Sequence, residues 1–404
     1  MAFYVQKYGG SSVADSEKIR NVAERIVETY REGNQVLAVV SARGDTTDEL
    51  IDLAREVSDT HPSREMDLLM ATGETQSSAL LAMAIEDLGE EAVALTAHQM
   101  RIQTDVSHTK ARIVDIDGDR IRQEFDDGKI VVAAGFQGVT EQGDITTLGR
   151  GGSDTTAVAL ASVLDADRCD IFTDVEGVFT ADPRMVDDAH RIPKIDYEEM
   201  LELASLGTEV LQVRAVEFGW KYGVDIQVRS SFNDKPGTLI TEGGTDMEEV
   251  DVRAVATDMD QTRISIKDVP DQPGIAATLF GGLADENINV DMIVQSSGAR
   301  QEVQNDISFT VSRRDFDDAV ECTQKTSDKL NAQGVTTHED VAQVSVVGTG
   351  MRNHPGVAKK VFSALGDHDI NIEMISTSEI RISVIIQETD VEEAVNVLHD
   401  TFDL

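Results

Sequence analysis

Two stretches near the C-terminus repeat each other without a gap, and no other feature limits the possible folds as much. Asp271-Gln272-Pro273-Gly274-Ile275-Ala276 is answered by Asn353-His354-Pro355-Gly356-Val357-Ala358. The register continues through Phe280 and Phe362, Leu283 and Leu365, Ile288 and Ile370, Asn289 and Asn371, Met292 and Met374, and Ile293 and Ile375. Every pair is separated by the same 82 positions. A match held in register this far marks two copies of one supersecondary unit. Each copy reads strand, Pro-Gly turn, helix, strand, second strand (307–311 and 381–386) and helix. That order predicts a small ferredoxin-like βαββαβ module, present twice.

Upstream the pattern changes. Residues 1–240 alternate short apolar runs with amphipathic stretches, which predicts βαβ units around a largely parallel sheet. Strands are expected at 3–6, 36–41, 130–134, 170–173 and 224–229, and helices at 16–31, 47–57, 75–88 and 153–164. Ile19, Val22, Ala23, Ile26 and Val27 show the spacing of a single helix face. Glu242-Gly243-Gly244-Thr245-Asp246 reads as a polar linker. The predicted fold class is therefore α/β: an αβα sandwich with a mostly parallel central sheet, followed by the two modules. The expected boundaries are 1–240 for the first body, 241–262 for a linker and the start of the second region, 263–337 for the first module and 338–404 for the second. A chain of 404 residues is long enough for two or three such cores.

Composition narrows the function. The formal net charge of −40 disfavours a nucleic-acid partner, because phosphate backbones would be repelled. The acidic residues lie within periodic elements and not in a tail, which suggests either a surface adapted to concentrated salt or simply an acidic protein. No apolar run is long enough to span a bilayer, and Met1-Ala2-Phe3-Tyr4-Val5-Gln6-Lys7 lacks the order of a signal peptide. Cys169 and Cys322 are too few for a disulfide framework or a cysteine metal site. A cytoplasmic location is expected.

The chemistry lies in glycine-rich loops at strand exits. Lys7-Tyr8-Gly9-Gly10-Ser11-Ser12 follows the first strand, where backbone amides can approach an anion and Lys7 can supply a point charge; a tight turn with a solvated lysine is the plainer alternative. Thr146-Thr147-Leu148-Gly149-Arg150-Gly151-Gly152-Ser153-Asp154-Thr155 runs into an Ala-rich helix whose free N–H groups favour a phosphate. Arg150 is a fork-shaped donor suited to a carboxylate or phosphate. Ser153 and Asp154 could instead be N-caps, though capping alone needs no Arg-Gly-Gly before it. Thr173-Asp174-Val175-Glu176-Gly177-Val178-Phe179-Thr180-Ala181-Asp182-Pro183-Arg184 leaves the C-terminal end of the next strand, the edge where open α/β sheets hold ligands. Asp174 could bind a ribose or amino group there and Arg184 a phosphate; a connecting loop is the alternative. Ser41 to Thr47 lies between a strand and a helix. Glu74, expected at a helix start, could meet a substrate ammonium or simply favour the helix dipole. No GxxxxGK[ST], Rossmann GxGxxG, His-Arg-Asp or Asp-Phe-Gly motif is present, which argues against P-loop NTPases, dinucleotide dehydrogenases and protein kinases.

Taken in order along the chain, Lys7-Tyr8-Gly9-Gly10-Ser11-Ser12, Gly73-Glu74, Thr147 to Asp154, Thr173-Asp174 and Thr180-Ala181-Asp182-Pro183-Arg184 resemble the aspartate kinases of the amino-acid-kinase fold. The C-terminal repeat resembles that family's tandem ACT domains, and the likeness is to monofunctional enzymes. The resemblance implies transfer of the γ-phosphoryl group of ATP to the side-chain carboxylate of L-aspartate. The product would be 4-phospho-L-aspartate, at the first step of lysine, threonine and methionine biosynthesis. It implies an ATP site of Lys7, Tyr8, Gly9, Gly10, Gly151, Gly152, Ser153, Thr173, Asp174, Phe179 and Arg184, with Mg²⁺ held mainly by the nucleotide. Arg150 would clamp the aspartate α-carboxylate, Glu74 and Asp154 the α-amino group, and Ser41 and Thr47 the neighbourhood of the reacting carboxylate. Lys7 and Asp154 would carry catalysis.

The likeness departs at two positions. Phe179 stands where relatives carry Tyr, and Glu209, after Gly207-Thr208, where they often carry Lys. It also places a feedback amino acid, lysine or threonine or both, on Asp271, Gly274, Ile275, Ala276, Asn289, Val290, Asp291 and Gln295 of the first module. The facing positions are Val357, Ala358, Asn371, Ile372, Ser378 and Glu379 of the second. Helix N–H groups at the Pro-Gly turn would meet the effector carboxylate, and Asp271 or Asp291 its ammonium. A homo-oligomer joined through the modules is implied, and Met247 could start a short regulatory subunit. Two rival readings are a catalytically silent sensor and a kinase for another small acid. The first would not need Lys7, Arg150, Asp154 and Asp174; the second would not need Glu74 and Arg150 together.

Overall fold

The computed structural model describes residues 2–207, 210–243, 252–270, 272–297, 304–354 and 356–404. Thr208, Glu209, Met247, Asp271, Pro355 and residues 244–246 of the expected linker lie outside the described residues. The chain forms two units, one of residues 1–178, 191–205 and 209–247, the other of 179–190, 206–208 and 248–404.

The first unit is built on an eight-stranded sheet. From one edge, its strands are Lys194–Ile195, Thr238–Ile240, Ile226–Ser230, Arg168–Thr173, Phe3–Tyr8, Gln35–Val40, Ile130–Ala134 and Ala92–Leu95. All neighbours run parallel except Ile226–Ser230 and Thr238–Ile240. Parallel strands are covered on both faces, so their residues read as continuous apolar runs: Val36 to Val40 is buried throughout. The two-residue period of a strand sorts the side chains between faces. On one face, helices Ser16–Arg31 and Ser63–Asp87 pack over Tyr8, Val36, Ala38, Val40, Ile130 and Val132. On the other, helix Gly152–Val163 lies against Phe3–Tyr8 and Gln35–Val40, with helix Val213–Tyr222 packed on it. From Phe3–Tyr8 the chain moves to Gln35–Val40 on one side and returns much later to Arg168–Thr173 on the other. Such a reversal of strand order opens a crevice at the C-terminal edge. A small sheet of Ile113–Ile116, Ile102–Thr104, Gln137–Val139 and Ile145–Thr147 completes the unit.

The second unit holds one six-stranded sheet in the order Ile293–Ser297, Gln304–Val311, Ala254–Pro270, Gly334–Val347, Arg381–Gln387 and Met374–Thr377. Its two middle strands are long, and each serves both modules. Residues 261–267 of the first pair with 334–341 of the second, while 254–258 pair with 343–347. The second module therefore takes its last strand from residues 254–258, ahead of the first module in sequence. The sequence placed those residues in the linker and start of the second region, with 338–404 as the second module. In the structure helix Val391–Thr401 follows Arg381–Gln387, and the place beside residues 343–347 is taken by 254–258.

Segment 179–190 is the other departure from the expected 1–240 body. Ala181 and Val186 join the apolar cluster of Val357, Val361, Leu365 and Leu398, and the Thr180 carbonyl accepts from the Val255 amide at 2.7 Å.

Candidate active site

Every parallel strand of the first unit delivers its loop to the same sheet edge. Tyr8 pairs with Val40 on one side and Phe172 on the other, so Gly9, Ser41 and Thr173 leave the sheet side by side. The Gly9 amide donates to the Phe172 carbonyl at 3.2 Å, the Ser41 amide to the Tyr8 carbonyl at 3.1 Å, and the Gly44 amide to the Gly10 carbonyl at 3.0 Å. On the far side, the Ser231 amide donates to the Thr173 carbonyl at 2.8 Å, and the Ser12 and Ser231 hydroxyls meet at 2.5 Å. The strand exits are laced together by backbone, which fixes their amides before any ligand arrives.

Lys7 lies one residue before the exit, on the face covered by helix Gly152–Val163. Its Nζ meets Asp154 Oδ1 at 2.5 Å with both side chains largely buried. Helix Gly152–Val163 begins without a side-chain cap: its N-cap is Gly151, in the left-handed region at φ 67°. A side chain at Gly151 would overlap Gln212, so the turn requires glycine twice over. Ser153 and Asp154 do not cap this helix. Their first-turn N–H groups face the crevice where Lys7 sits, an arrangement that favours an anion.

Glu74 departs from expectation. It lies in the middle of the 25-residue helix Ser63–Asp87, not at a helix start. Gly73 lets that helix approach the second strand exit, since a side chain there would come within 2.7 Å of Ala42 Cβ. Glu74 is only 3% exposed. Its Oε1 accepts from the Ala42 amide at 3.0 Å, and its Oε2 has no partner. Burial pushes its carboxyl up to about 7, opposed by the Ala42 hydrogen bond. A buried acceptor left unsatisfied calls for a donor from elsewhere.

Arg150 is exposed and, among the described residues, has no ion-pair partner. Its loop is held firmly all the same. Arg214 donates to the Leu148 carbonyl at 2.6 Å and to the Ala111 carbonyl at 3.1 Å, and Gln212 packs on Gly151.

The structure brings together Lys7, Gly9, Gly10, Ser41, Gly151, Gly152, Ser153, Asp154, Thr173 and Asp174 at one sheet edge, with Glu74 at the exit of the second strand and Thr47 in the first turn of helix Thr46–Val57. Asp174 is exposed, and its Oδ1 accepts from the Thr173 hydroxyl at 3.1 Å. Tyr8 is different: its ring is wholly buried, stacked on Phe172 at 4.8 Å, and its hydroxyl donates to Gln6 Oε1. Only its backbone reaches the edge. Phe179 and Arg184 belong to the second unit, where Arg184 binds Asp182 of its own loop at 2.6 Å. Glu209 and Asp271 lie outside the described residues. Of the expected effector positions, Gly274, Ala276, Asn289, Asp291, Gln295, Asn371, Ser378 and Glu379 are exposed, and Ile275, Val290, Ala358 and Ile372 are half-buried. Val357 is core, and its amide donates to the His354 carbonyl. Sequence reasoning did not pick out Asp67, Gln212 and Arg214, which support the Arg150 loop. Asp67 alone left a signal, a charged residue seven positions before Glu74 on the same helix face. Among the described residues no group of three or more His, Cys, Asp or Glu is placed to hold a metal ion.

A crevice at the switch point of a mostly parallel sheet, lined by a lysine, a Gly-Gly exit and an uncapped helix N-terminus, defines a small-molecule phosphotransferase site of the amino acid kinase type. The model for the amino acid kinase family matches residues 2–230, and that for the ACT domain matches 264–326 and 344–402. The aspartokinase of Mycolicibacterium smegmatis is 49% identical, covering all of this chain and 97% of its own; that of Corynebacterium glutamicum is 50% identical over the same shares. Escherichia coli aspartokinase III, solved with aspartate and ADP, superposes at a TM-score of 0.82 with 26% identity, both chains fully covered. The same protein with lysine and aspartate gives 0.78. The chain belongs to the aspartokinase family.

Proposed function

We infer that the protein is an aspartate kinase that transfers the γ-phosphoryl group of ATP to the side-chain carboxylate of L-aspartate, under allosteric control through its ACT modules. The observation that carries this reading is the pairing of two sites on one edge. Lys7 and the Gly152 helix N-terminus form a phosphate cradle, while the unpaired Glu74 Oε2 offers an acceptor and Arg150, without an ion-pair partner among the described residues, a fork for an amino acid.

A carboxylate oxygen is already a competent nucleophile, so the protein's task is positioning and charge neutralisation. Lys7, held by Asp154, neutralises charge on the transferring group, and the amides of Gly10 and Ser153 share the rest, those of Gly9 and Gly152 already donating to the Phe172 and Gly149 carbonyls. Thr173 and Asp174 border the nucleotide. Glu74 and Asp154 take the α-ammonium, Arg150 the α-carboxylate, and Ser41 and Thr47 flank the reacting carboxyl. The donors here are amides and a lysine, which suit phosphate oxygens, so Mg²⁺ enters with the nucleotide.

The finer regulatory reading is that lysine or threonine binds at the turns led by Gly274 and Gly356, near Asp291 and Gln295. Copies associate through the outer strands Ile293–Ser297 and Met374–Thr377, where Ile293 and Ile375 are 52% and 44% exposed. Translation from Met247 would supply a separate regulatory subunit. With 75 acidic against 35 basic residues, the surface suits concentrated salt.

A coupled ADP-release assay with L-aspartate, L-glutamate and N-acetylglutamate tests the activity. Turnover is expected with L-aspartate, and Lys7→Ala should lower kcat by about a hundredfold, roughly 3 kcal/mol, with little change in the aspartate KM. A preference for another acceptor would overturn the substrate assignment. Activity of Lys7→Ala within threefold of the parent would remove Lys7 from the transfer step.

A further inference from the structure

Asp67 is a wholly buried carboxylate outside every motif above. Its Oδ2 meets His108 Nδ1 at 2.7 Å, both oxygens accept from the Thr109 amide at 3.1 and 3.0 Å, and Oδ1 accepts from the Thr147 hydroxyl at 2.6 Å. All three partners lie outside its own helix, and two of them, Thr109 and Thr147, border the Arg150 loop. Thr147 precedes Arg150 by three residues, and its carbonyl accepts from the Ala111 amide at 3.0 Å. The Thr109 carbonyl lies 3.0 Å from where a side chain on Gly149 would begin. One carboxylate thus holds both walls of the loop. Glu74 follows Asp67 by seven residues, two turns further along the same helix face. At the head of that helix, Arg64 reaches Asp144, just before Ile145–Thr147, at 2.7 Å.

We propose that Asp67 is a positioning residue that locks the Arg150 loop to the helix carrying Glu74, so that one rigid element sets the spacing between the clamps for the α-carboxylate and the α-ammonium of the amino-acid substrate. The proposal rests on the reading that Arg150 and Glu74 hold those two ends. Losing the lock would loosen the clamp for the amino acid and leave the phosphate cradle, built on Lys7 and Gly152, in place. Misplacement of a binding group by about 1 Å is enough to be felt in kinetics.

Asp67→Asn keeps the shape, but its amide NH₂ cannot accept from the Thr109 N–H or the Thr147 hydroxyl as a carboxylate oxygen does. Thr147→Val removes one arm and leaves the carboxylate. The expected result for Asp67→Asn is an aspartate KM raised about tenfold or more with the ATP KM within about twofold; Thr147→Val should move the aspartate KM the same way by about threefold. In an Arg150→Ala background, Asp67→Asn should add less than about twofold, because the clamp it positions is already gone. Equal rises in both KM values, an unchanged aspartate KM, or full additivity with Arg150→Ala would overturn the proposal. Amide hydrogen exchange of the unliganded enzyme supplies a readout independent of the acceptor. Residues 105–112 and 145–151 should exchange about tenfold faster in Asp67→Asn, with the helices of the unit unchanged. Unchanged exchange there overturns the proposal whatever the enzyme phosphorylates. A parent enzyme inactive on aspartate, with the exchange effect present, instead overturns the substrate reading and leaves the lock standing. If Asp67→Asn does not fold, Thr147→Val carries the same comparisons, judged by the same outcomes.

Discussion

Single residues decide this site by what their burial leaves undone. Glu74 is buried where water cannot solvate its charge, and one of its oxygens has no donor. Burial favours the neutral acid, so the folded protein binds a proton that the unfolded chain has released. Between the ordinary carboxyl range and about 7, the unliganded protein therefore loses stability as pH rises; above 7 the full cost of the buried charge is present. Aspartate reverses the balance, because its ammonium supplies the missing partner and favours the ionised form. The expected outcome is an aspartate kcat/KM that climbs as pH rises through about 7 and then levels. Glu74→Gln should abolish that climb, bind aspartate poorly, and melt higher than the parent at pH 8 but not at pH 5. Melting curves and initial rates from pH 5 to 8.5 check this. A parent profile that is flat across pH 7 would mean that Glu74 does not meet the ammonium. Lys7 and Arg150 stand out in the sequence because a charged residue close to Gly-Gly has few other uses. The burial of the Tyr8 side chain was not legible, because the strand period puts it on the opposite face from Lys7 and a motif does not say where its strand ends.

Elements were legible where apolar spacing is plain and obscure where polar residues occupy a core face. Helix Ser16–Arg31 has a clean apolar stripe and falls at the expected bounds. Helix Ser63–Asp87 was expected only from residue 75, because Asp67, Glu74, Ser77 and Ser78 sit on its buried side and break the stripe. The strand at 254–258 was invisible because its partner, 343–347, lies beyond an intervening module, and a repeat shows copies without showing which copy lends a strand. The strand-exit stretch 173–184 divides in the structure: residues 179–184 belong to the second unit with the rest of 179–190, where Ala181 and Val186 pack in the second module's core. The segment's grip there is partly polar: the Thr180 hydroxyl and His399 Nε2 lie 2.9 Å apart, and the His190 amide donates to the same hydroxyl at 3.1 Å. Burial, then His190, holds the His399 imidazole below its ordinary value, against Asp400 and Asp188. The unfolded chain therefore takes up a proton more readily, and this contribution, intact above the ordinary histidine range, is lost as pH falls through it. The parent should lose thermal stability more steeply between pH 7 and 5.5 than His399→Gln does. Parallel slopes would show that another group governs the acid side.

The whole molecule carries a formal charge of −40, and both substrates are anions. Such a body repels ATP and aspartate at long range, and Lys7 and Arg150 offset this only within about a Debye length, ~10 Å at 0.1 M salt. The same field would oppose the proposed association of two copies at their outer strands. Many of the surface ion pairs, such as Arg55 with Asp52 and Lys325 with Glu321, are exposed on both sides, so salt takes little from stability by screening them. The Lys7–Asp154 and Arg263–Glu373 pairs are largely buried and are screened much less. Raising KCl from about 0.1 M to above 1 M shortens the screening length to roughly 3 Å, which weakens the repulsion while sparing the pairs that matter. Higher kcat/KM, a higher melting temperature and fuller assembly are therefore expected together in molar KCl. Steady-state rates, thermal melts and sedimentation across one salt series measure all three. An enzyme that is fastest, most stable and fully assembled below 0.1 M would show that the acidic surface is not an adaptation to salt, and would leave the kinase site untouched.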